Sequence, residues 1–362
     1  MGVKKSSNNK KEIDDYNNFS FSAIRGVQAG REYYSVMCQL KLVSKIFIFN
    51  ESGLPPELRA QRTLNKARIP DMVNYIVNNL GDYTFSSITA SIDGDVKFTP
   101  AENVGMNSRV GTLLVPMDSK FVVNDGQHRR AAIEKALELN PELGHETISV
   151  VFYIDRGLKR SQQMFADLNK NAVKPTTSLS IFYNHRDQFS RELISLMKKV
   201  PIFSGGLTEV EKTSISNRSN KVFTLNSLYN STKDLLGKKG KTPEINSHEK
   251  NEAIEFWNEV YQHNKEWKEI VSEEMTPFHL RETYISGTGI ILHSLGIMGN
   301  KLMKRYPKKW RVKLEGLDNI NWRKNNPEWE GIAMINGRVS KSRDFLNKTS
   351  DFLSKAVGLE VD

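Results

Sequence analysis

A single cysteine, Cys38, stands among 362 residues. One cysteine cannot build a disulfide framework or a cysteine-rich zinc site within one chain, and this fits a reducing compartment. No apolar run reaches membrane-spanning length. The nearest approach, residues 284–298, is interrupted by glycines, serines and His293, and reads as a tightly packed internal helix or a helix–turn–helix. There is no Walker phosphate loop, no dinucleotide glycine fingerprint and no serine elbow. His145, His185, His248, His263, His279 and His293 stand at no metal-motif spacing. Glycine and proline are not enriched, which excludes collagen-like and low-complexity chains, and no fixed period points to a repeat array.

What remains is ordinary globular composition. Hydrophobic residues make up 38%, enough for a core divided over two or three domains or gathered into one large one. The net charge of +10 raises the local concentration of polyanions, though a soluble basic surface has the same composition. Residues 1–19 are expected to be a flexible tail. Lysines 4, 5, 10 and 11 are followed by no apolar stretch, so a secretory signal is not expected and a cytoplasmic location is.

Residues 33–42 and 45–50 carry β-branched and aromatic residues and read as two strands. Pro56 is placed to open a helix over 57–66. A second helix follows Ile69-Pro70-Asp71, with Met72, Tyr75, Ile76 and Leu80 at helical spacing and Gly81 as its cap. Arg59, Arg62, Lys66 and Arg68 form either a site rim or a solvated helix face. Residues 85–92 read as a strand, and Asp93-Gly94 as a hairpin turn returning through 96–98. Residues 110–115, 121–123 and 148–154 are further strands. This mixture of hairpins with a strand–helix–strand unit predicts an α+β domain over about 20–180. Beyond it, helical spacing dominates to residue 362. Residues 179–183, 189–200 and 223–236 are expected helices, 237–250 an exposed loop, and Ile254, Trp257, Tyr261, Trp267 and Ile270 one apolar helix face.

The segment Phe121-Val122-Val123-Asn124-Asp125-Gly126-Gln127-His128-Arg129-Arg130-Ala131-Ala132-Ile133 changes period in its middle. It leaves an apolar strand and enters a helix marked by Ala132, Ile133, Ala136 and Leu137. Gly126 sits where the chain must bend sharply or be approached closely. The first turn of the new helix presents amides without internal acceptors, and with the helix dipole these favour an anion, phosphate above all. Arg129 offers a planar donor fork, His128 a donor or proton shuttle, and Gln127 an orienting amide. Asp125 would bind magnesium, activate water or cap the helix. Arg130 faces solvent or pairs with Glu134, four residues on. A second polar cluster, Gln162, Gln163, Asp167, Asn169, Lys170, Asn171 and Lys174, reads either as a helix end facing a ligand or as an ordinary surface terminus.

The string Asp125-Gly126-Gln127-His128-Arg129 resembles the signature of the DGQHR-domain family. With residues 62–70 and 165–175, the wider context resembles DndB, the accessory and regulatory family of bacterial DNA phosphorothioation systems. That family is distantly similar to the ParB/sulfiredoxin fold, so the resemblance implies a ParB-like mixed-sheet N-terminal domain followed by a mainly helical one (181–362). In such proteins a glycine-plus-arginine turn at a helix start binds nucleotide phosphates, and Gly126 and Arg129 match it. A sulfiredoxin has its catalytic cysteine where this chain has Gln127. Asp167 and Asn169 correspond to an acid and an amide that help hold nucleotide and magnesium, which makes Asp167 the candidate metal ligand.

The resemblance implies a DNA-binding transcriptional regulator of the modification genes. Gly126, Gln127, His128, Arg129, Arg62, Arg68, Asn169 and Asn171 are its expected phosphate contacts. Duplex DNA, from the promoter region or sulfur-modified, is the expected partner, together with other phosphorothioation proteins and a second copy in a homodimer. Two alternatives stay open. One is a metal-dependent ATPase or DNA-nicking enzyme using ATP, Mg2+, Asp125 and His128. The other is a protein-binding accessory whose interface is the segment with Trp310, Trp322 and Trp329, residues that also suit a core.

Overall fold

The computed structural model describes residues 17–47, 65–102, 105–158, 160–170, 175–240, 243–340 and 342–360. The chain divides into two compact units, Met1–Val173 and Lys174–Asp362. The first is built on one mixed sheet and the second is mainly helical, an α+β architecture.

The sheet of the first unit contains β1 (Asn18–Gln28), β2 (Arg31–Gln39), β3 (Ile88–Asp93), β4 (Lys97–Pro100), β5 (Val110–Pro116), β6 (Lys120–Asp125) and β7 (Thr147–Ile154). Their order is β4-β5-β1-β2-β7-β3-β6, antiparallel throughout except where β3 runs parallel to β7. β1 begins inside the segment expected to be a tail. Its inward residues Phe21 and Ala23 alternate with exposed Ser20, Ser22 and Ile24, the period of a strand buried on one face. Aromatic rings fill that core: Phe152 lies 5.5 Å from Phe21 and 5.7 Å from Phe121.

Three expectations are corrected here. The segment after β2 is a helix, α1 (Leu40–Ile46), rather than a second strand over 45–50, of which 48–50 lie outside the described residues. Leu40, Val43 and Ile46 recur every third residue and are all buried, so packing overrides their β propensity. The second correction concerns Asp93-Gly94, which does not join a hairpin. β4 pairs with β5 at one end of the sheet, while β3 pairs with β6 and β7 at the other. The expected helix over 57–66 falls mostly outside the described residues, and Lys66 belongs to a 3-10 turn, Lys66–Arg68. The helix after Pro70 is present as α2 (Ile69–Val77), capped by Asn78 rather than Gly81.

β6 leads through Gly126 into α3 (Gln127–Leu139), which buries Ala132, Ile133 and Ala136 against the sheet core and packs against α1 and α2. After β7 comes α4 (Ser161–Lys170), which packs against β6.

In the second unit, α5 (Thr177–Tyr183), α6 (Gln188–Met197) and α7 (Leu225–Leu235) form where the spacing predicts. The long aromatic face is two helices, α8 (Ser247–Gln262) and α9 (Lys265–Val271), because Asn264 starts a new helix by accepting from the Trp267 amide. Then follow α10 (Pro277–Thr283), α11 (Gly289–Arg305), α12 (Trp310–Lys313) and α13 (Arg343–Ala356). Residues 284–298 are indeed internal. A Cβ on Gly296 would fall 2.1 Å from the Ser231 carbonyl, so glycine is what lets α11 lie against α7. The tryptophans belong to this core: Trp257, Trp267 and Trp329 are fully buried, and Trp310 and Trp322 nearly so. They therefore cannot supply the interface suggested for the C-terminal segment.

Candidate functional site

The corner between β6 and α3 is set by a one-residue bulge. Ala90 of β3 faces Val123, but Thr89 faces Asp125, so Asn124 is the extra residue. A bulge re-aims side chains at a strand end, and here it turns Asn124 inward. Its amide donates to the Ser91 hydroxyl at 2.8 Å, and its carbonyl accepts from the Ser161 hydroxyl at 2.6 Å. All three residues are fully buried. This chain of hydrogen bonds ties β3, β6 and the first turn of α4 together, as buried polar groups require partners. Asp155, also buried, accepts from the Arg160 amide and fixes the turn entering α4.

Asp125 is the last residue of β6 and Gly126 is the N-cap of α3, so the helix is not capped by Asp125 as the sequence suggested. Gly126 has φ 104°, ψ 12°, a left-handed conformation that glycine adopts without strain. A Cβ there would also meet Ile88 Cγ1 at 3.0 Å and the Arg129 guanidinium at 3.1 Å. The position therefore needs glycine twice over: for its backbone angle and for the side chain folded across it.

That side chain is engaged within the protein. Arg129 donates through Nη2 to the Asp125 carboxylate at 2.8 Å and the Ser87 carbonyl at 3.1 Å, and through Nη1 to the Ser86 hydroxyl at 2.6 Å. Its Nε is buried without a partner. Arg129 is thus a latch across the corner, holding the strand end, the residues before β3 and the helix start. It is not a free fork waiting for phosphate. Arg130 is buried and reaches Glu134 at 3.2 Å, the helical pairing expected of it. Gln127 donates to the Val123 carbonyl at 3.2 Å, again a structural tie.

The groups left open are main chain and imidazole. No side chain caps α3. The Arg130 amide already bonds the Gly126 carbonyl, while the amides of residues 127–129 meet no acceptor among the described residues. His128 Nε2 accepts from the Asn65 backbone amide at 3.1 Å. That bond fixes the tautomer: the proton of the neutral ring sits on Nδ1, a donor, and the Nε2 lone pair is occupied. Burial, then the nearby Arg68 and Arg129 charges, push the ring's pKa below the usual histidine value, against a weaker pull from Asp125. His128 is therefore a neutral donor at neutral pH and poorly arranged as a base. Asn65 also caps the Lys66–Arg68 turn, accepting from the Ala67 amide at 3.2 Å, and Lys66 and Arg68 are exposed. The structure thus brings Arg68 to the DGQHR corner.

Other expected residues are elsewhere. Asp167 lies near the far end of α4, about 9 Å along the helix from Ser161 at 1.5 Å per residue, and accepts from Gln163 at 2.7 Å. The Asn169 side chain, Arg62 and Asn171 lie outside the described residues. Among the described residues no three histidine, cysteine or acidic side chains gather in a group that could hold a metal. Asp125 already shares its Oδ2 with Arg129 at 2.8 Å. The described residues do not assemble a protein-held magnesium site, and no step is derived through one. Cys38 is buried, and burial pushes its thiol up to about 12, so it is chemically inert in the folded state.

Sequence reasoning missed Asn65, Ser86, Ser87, Ser91, Asn124 and Ser161. Asn124 carried a signal, a polar residue closing the apolar run 121–123. The serines carried none, because they act through positions far away in sequence.

The fold and corner define a class: a mixed-sheet domain whose edge strand ends in an arginine-latched glycine turn at an open helix N-terminus, followed by a helical unit. The chain belongs to the DndB family, described as DNA-sulfur modification-associated, whose model matches residues 21–360. It thus has a role in DNA phosphorothioate modification systems. No curated protein and no solved structure matches it. No helix among the described residues is long and apolar enough to cross a membrane.

Proposed function

We propose that this protein is a DNA-binding regulator of a sulfur-modification system, and that it meets DNA phosphate at the start of α3. The contacts are the amides of residues 127–129, the Nδ1 proton of His128 and the guanidinium of Arg68, with Arg129 holding the frame. The observation that carries this reading is the His128–Asn65 hydrogen bond, which couples the exposed Lys66–Arg68 turn to an uncapped helix N-terminus. Amides, helix dipole and a nearby cation form an anion site by general electrostatics. The glycine turn at a helix start is the feature held in common with ParB-like domains, and a promoter of the modification genes is the natural target. The net charge of +10 favours encounter with any duplex. No observation favours the nucleotide-hydrolysing alternative, since the His128 Nε2 lone pair and the Asp125 Oδ2 are both engaged.

Anisotropy titration with promoter duplex across a salt series tests this. Binding weakens as salt rises, and Arg68→Ala lowers the slope of log K against log salt by about 0.9, one phosphate contact. Absence of wild-type binding at low salt removes the regulator reading.

A further inference from the structure

The strongest charge run in the sequence falls in the second unit. Residues 304–309, Lys-Arg-Tyr-Pro-Lys-Lys, hold four cations and no acid. They connect the last turn of α11 to α12. Lys304 and Arg305 complement the negative end of the α11 dipole. Lys308 and Lys309 lie beyond that helix, so the dipole does not account for them.

Pairing separates this turn from its surroundings. Its basic neighbours all have acceptors within the protein. Lys301 bridges to Asp351 at 3.1 Å, Arg311 to Glu255, and Lys238 to Glu249 at 2.6 Å. Lys313 lies 4.3 Å from the Tyr306 ring centroid and near the Gly358 carbonyl. In contrast, Lys304, Arg305, Lys308 and Lys309 are exposed and have no ion pair or hydrogen-bond acceptor among the described residues. The loop after α7 runs alongside them. Gly237, at φ 63°, would place a Cβ 3.5 Å from Lys304 Nζ, so this loop passes directly beside the turn. The acids that the neighbouring cations engage, Asp351, Glu255 and Glu249, are thereby committed elsewhere.

The surface is rigid beneath. Leu302 and Trp310, on either side of the turn, are buried in the main core cluster. Pro307 fixes φ within it. Like charges held close on a fixed turn repel one another, and an extended polyanion relieves that repulsion while releasing its counterions. A bilayer surface is a poorer match. The turn carries no exposed aromatic to insert, and its aromatics Tyr306 and Trp310 are covered by Lys313 and by the core.

We propose that residues 304–309 form a second contact surface for the DNA phosphate backbone, independent of the DGQHR corner. This deepens the regulator reading and rests on it. It supplies sequence-independent affinity, since phosphate contacts orient and strengthen binding without reading bases.

The test is the full-length chain with Lys304→Ala, Arg305→Ala, Lys308→Ala and Lys309→Ala combined, titrated by anisotropy with duplex DNA over a salt series beside wild type and Arg68→Ala. The side chains are exposed, so the fold should persist, as a circular-dichroism melt checks. A charge-swapped pair, Lys308→Glu with Lys309→Glu, is a second variant, read beside Lys308→Ala with Lys309→Ala. The expected result is a salt slope smaller by up to about 3.6, at about 0.9 per lost contact, and a larger loss for the swapped pair than for neutralising the same two sites. If wild type and Arg68→Ala behave as the regulator reading requires while both turn variants keep wild-type affinity and slope, this inference alone is overturned. If wild type binds no duplex, both fall. Wild-type binding to phosphatidylserine vesicles that the turn variants lose, with DNA binding unchanged in them, would also overturn it.

Discussion

Arg129→Ala is a stability variant before it is a binding variant. The substitution removes donors to Asp125 Oδ2 (2.8 Å), Ser87 O (3.1 Å) and Ser86 Oγ (2.6 Å). A hydrogen bond from a charged group contributes about 1.5–3 kcal/mol when its acceptor is left dry. Ser86 is exposed and water replaces its partner. Asp125 is 47% exposed, so its ion pair is screened and contributes under about 1 kcal/mol. Loss of the unpartnered Nε offsets part of the cost. The net destabilisation is about 1–3 kcal/mol, or about 3–9 °C in the melting of a unit of this size. Hydrogen exchange on peptides covering β3, β6 and the first turn of α3 localises the effect, and the coupling with Asp125→Asn in a double-mutant cycle is about 0.5–1 kcal/mol. At a temperature where it remains folded, Arg129→Ala keeps most of its DNA affinity. A variant that melts as wild type yet loses DNA binding would refute the latch and restore Arg129 as a direct phosphate ligand.

Lowering the pH should destabilise the first unit. The folded-state pKa of His128 lies below its unfolded value, so the unfolded chain takes up the proton first. The contribution is present above the unfolded value near 6.5 and is lost as pH falls toward the folded one; His128→Gln flattens that part of a stability–pH profile measured by urea denaturation. Cys38 should resist a thiol reagent at pH 8 in the native protein and react in denaturant; rapid native labelling would contradict its burial. Gly296→Ala drives a methyl onto the Ser231 carbonyl and should cost about 1–3 kcal/mol or more by overpacking. The tryptophans all lie in the second unit, so their fluorescence transition reports it, and an unshifted transition would show that α7 and α11 are not in contact.

The strand–turn–helix of the DGQHR corner was legible because its apolar period changes within one glycine, a local signal. The role of Arg129 was not, although Asp125 stands four residues before it. Spacing of that kind is read within a helix, as for Arg130 and Glu134, and this pair spans a strand end and a helix start. Ser86 and Ser87 reach the corner only through the pairing of β3 with β6. The edge position of β4 likewise depends on long-range pairing that a turn dipeptide cannot encode. α1 was misread because its β-branched residues suggested a strand, while their three-residue spacing, which packing uses, was the better guide. β1, of which only Asn18 and Phe19 fall in the expected tail, was not read as a strand because serines alternate with its apolar residues and mask a half-buried period.

The claim that an open helix start beside Arg68 meets phosphate is tested most directly by the salt dependence of duplex binding for wild type, Arg68→Ala and Arg129→Ala, all folded. Arg68→Ala is expected to lose about one unit of slope, with Arg129→Ala close to wild type. The reverse order, or binding indifferent to salt in the wild type, would contradict it.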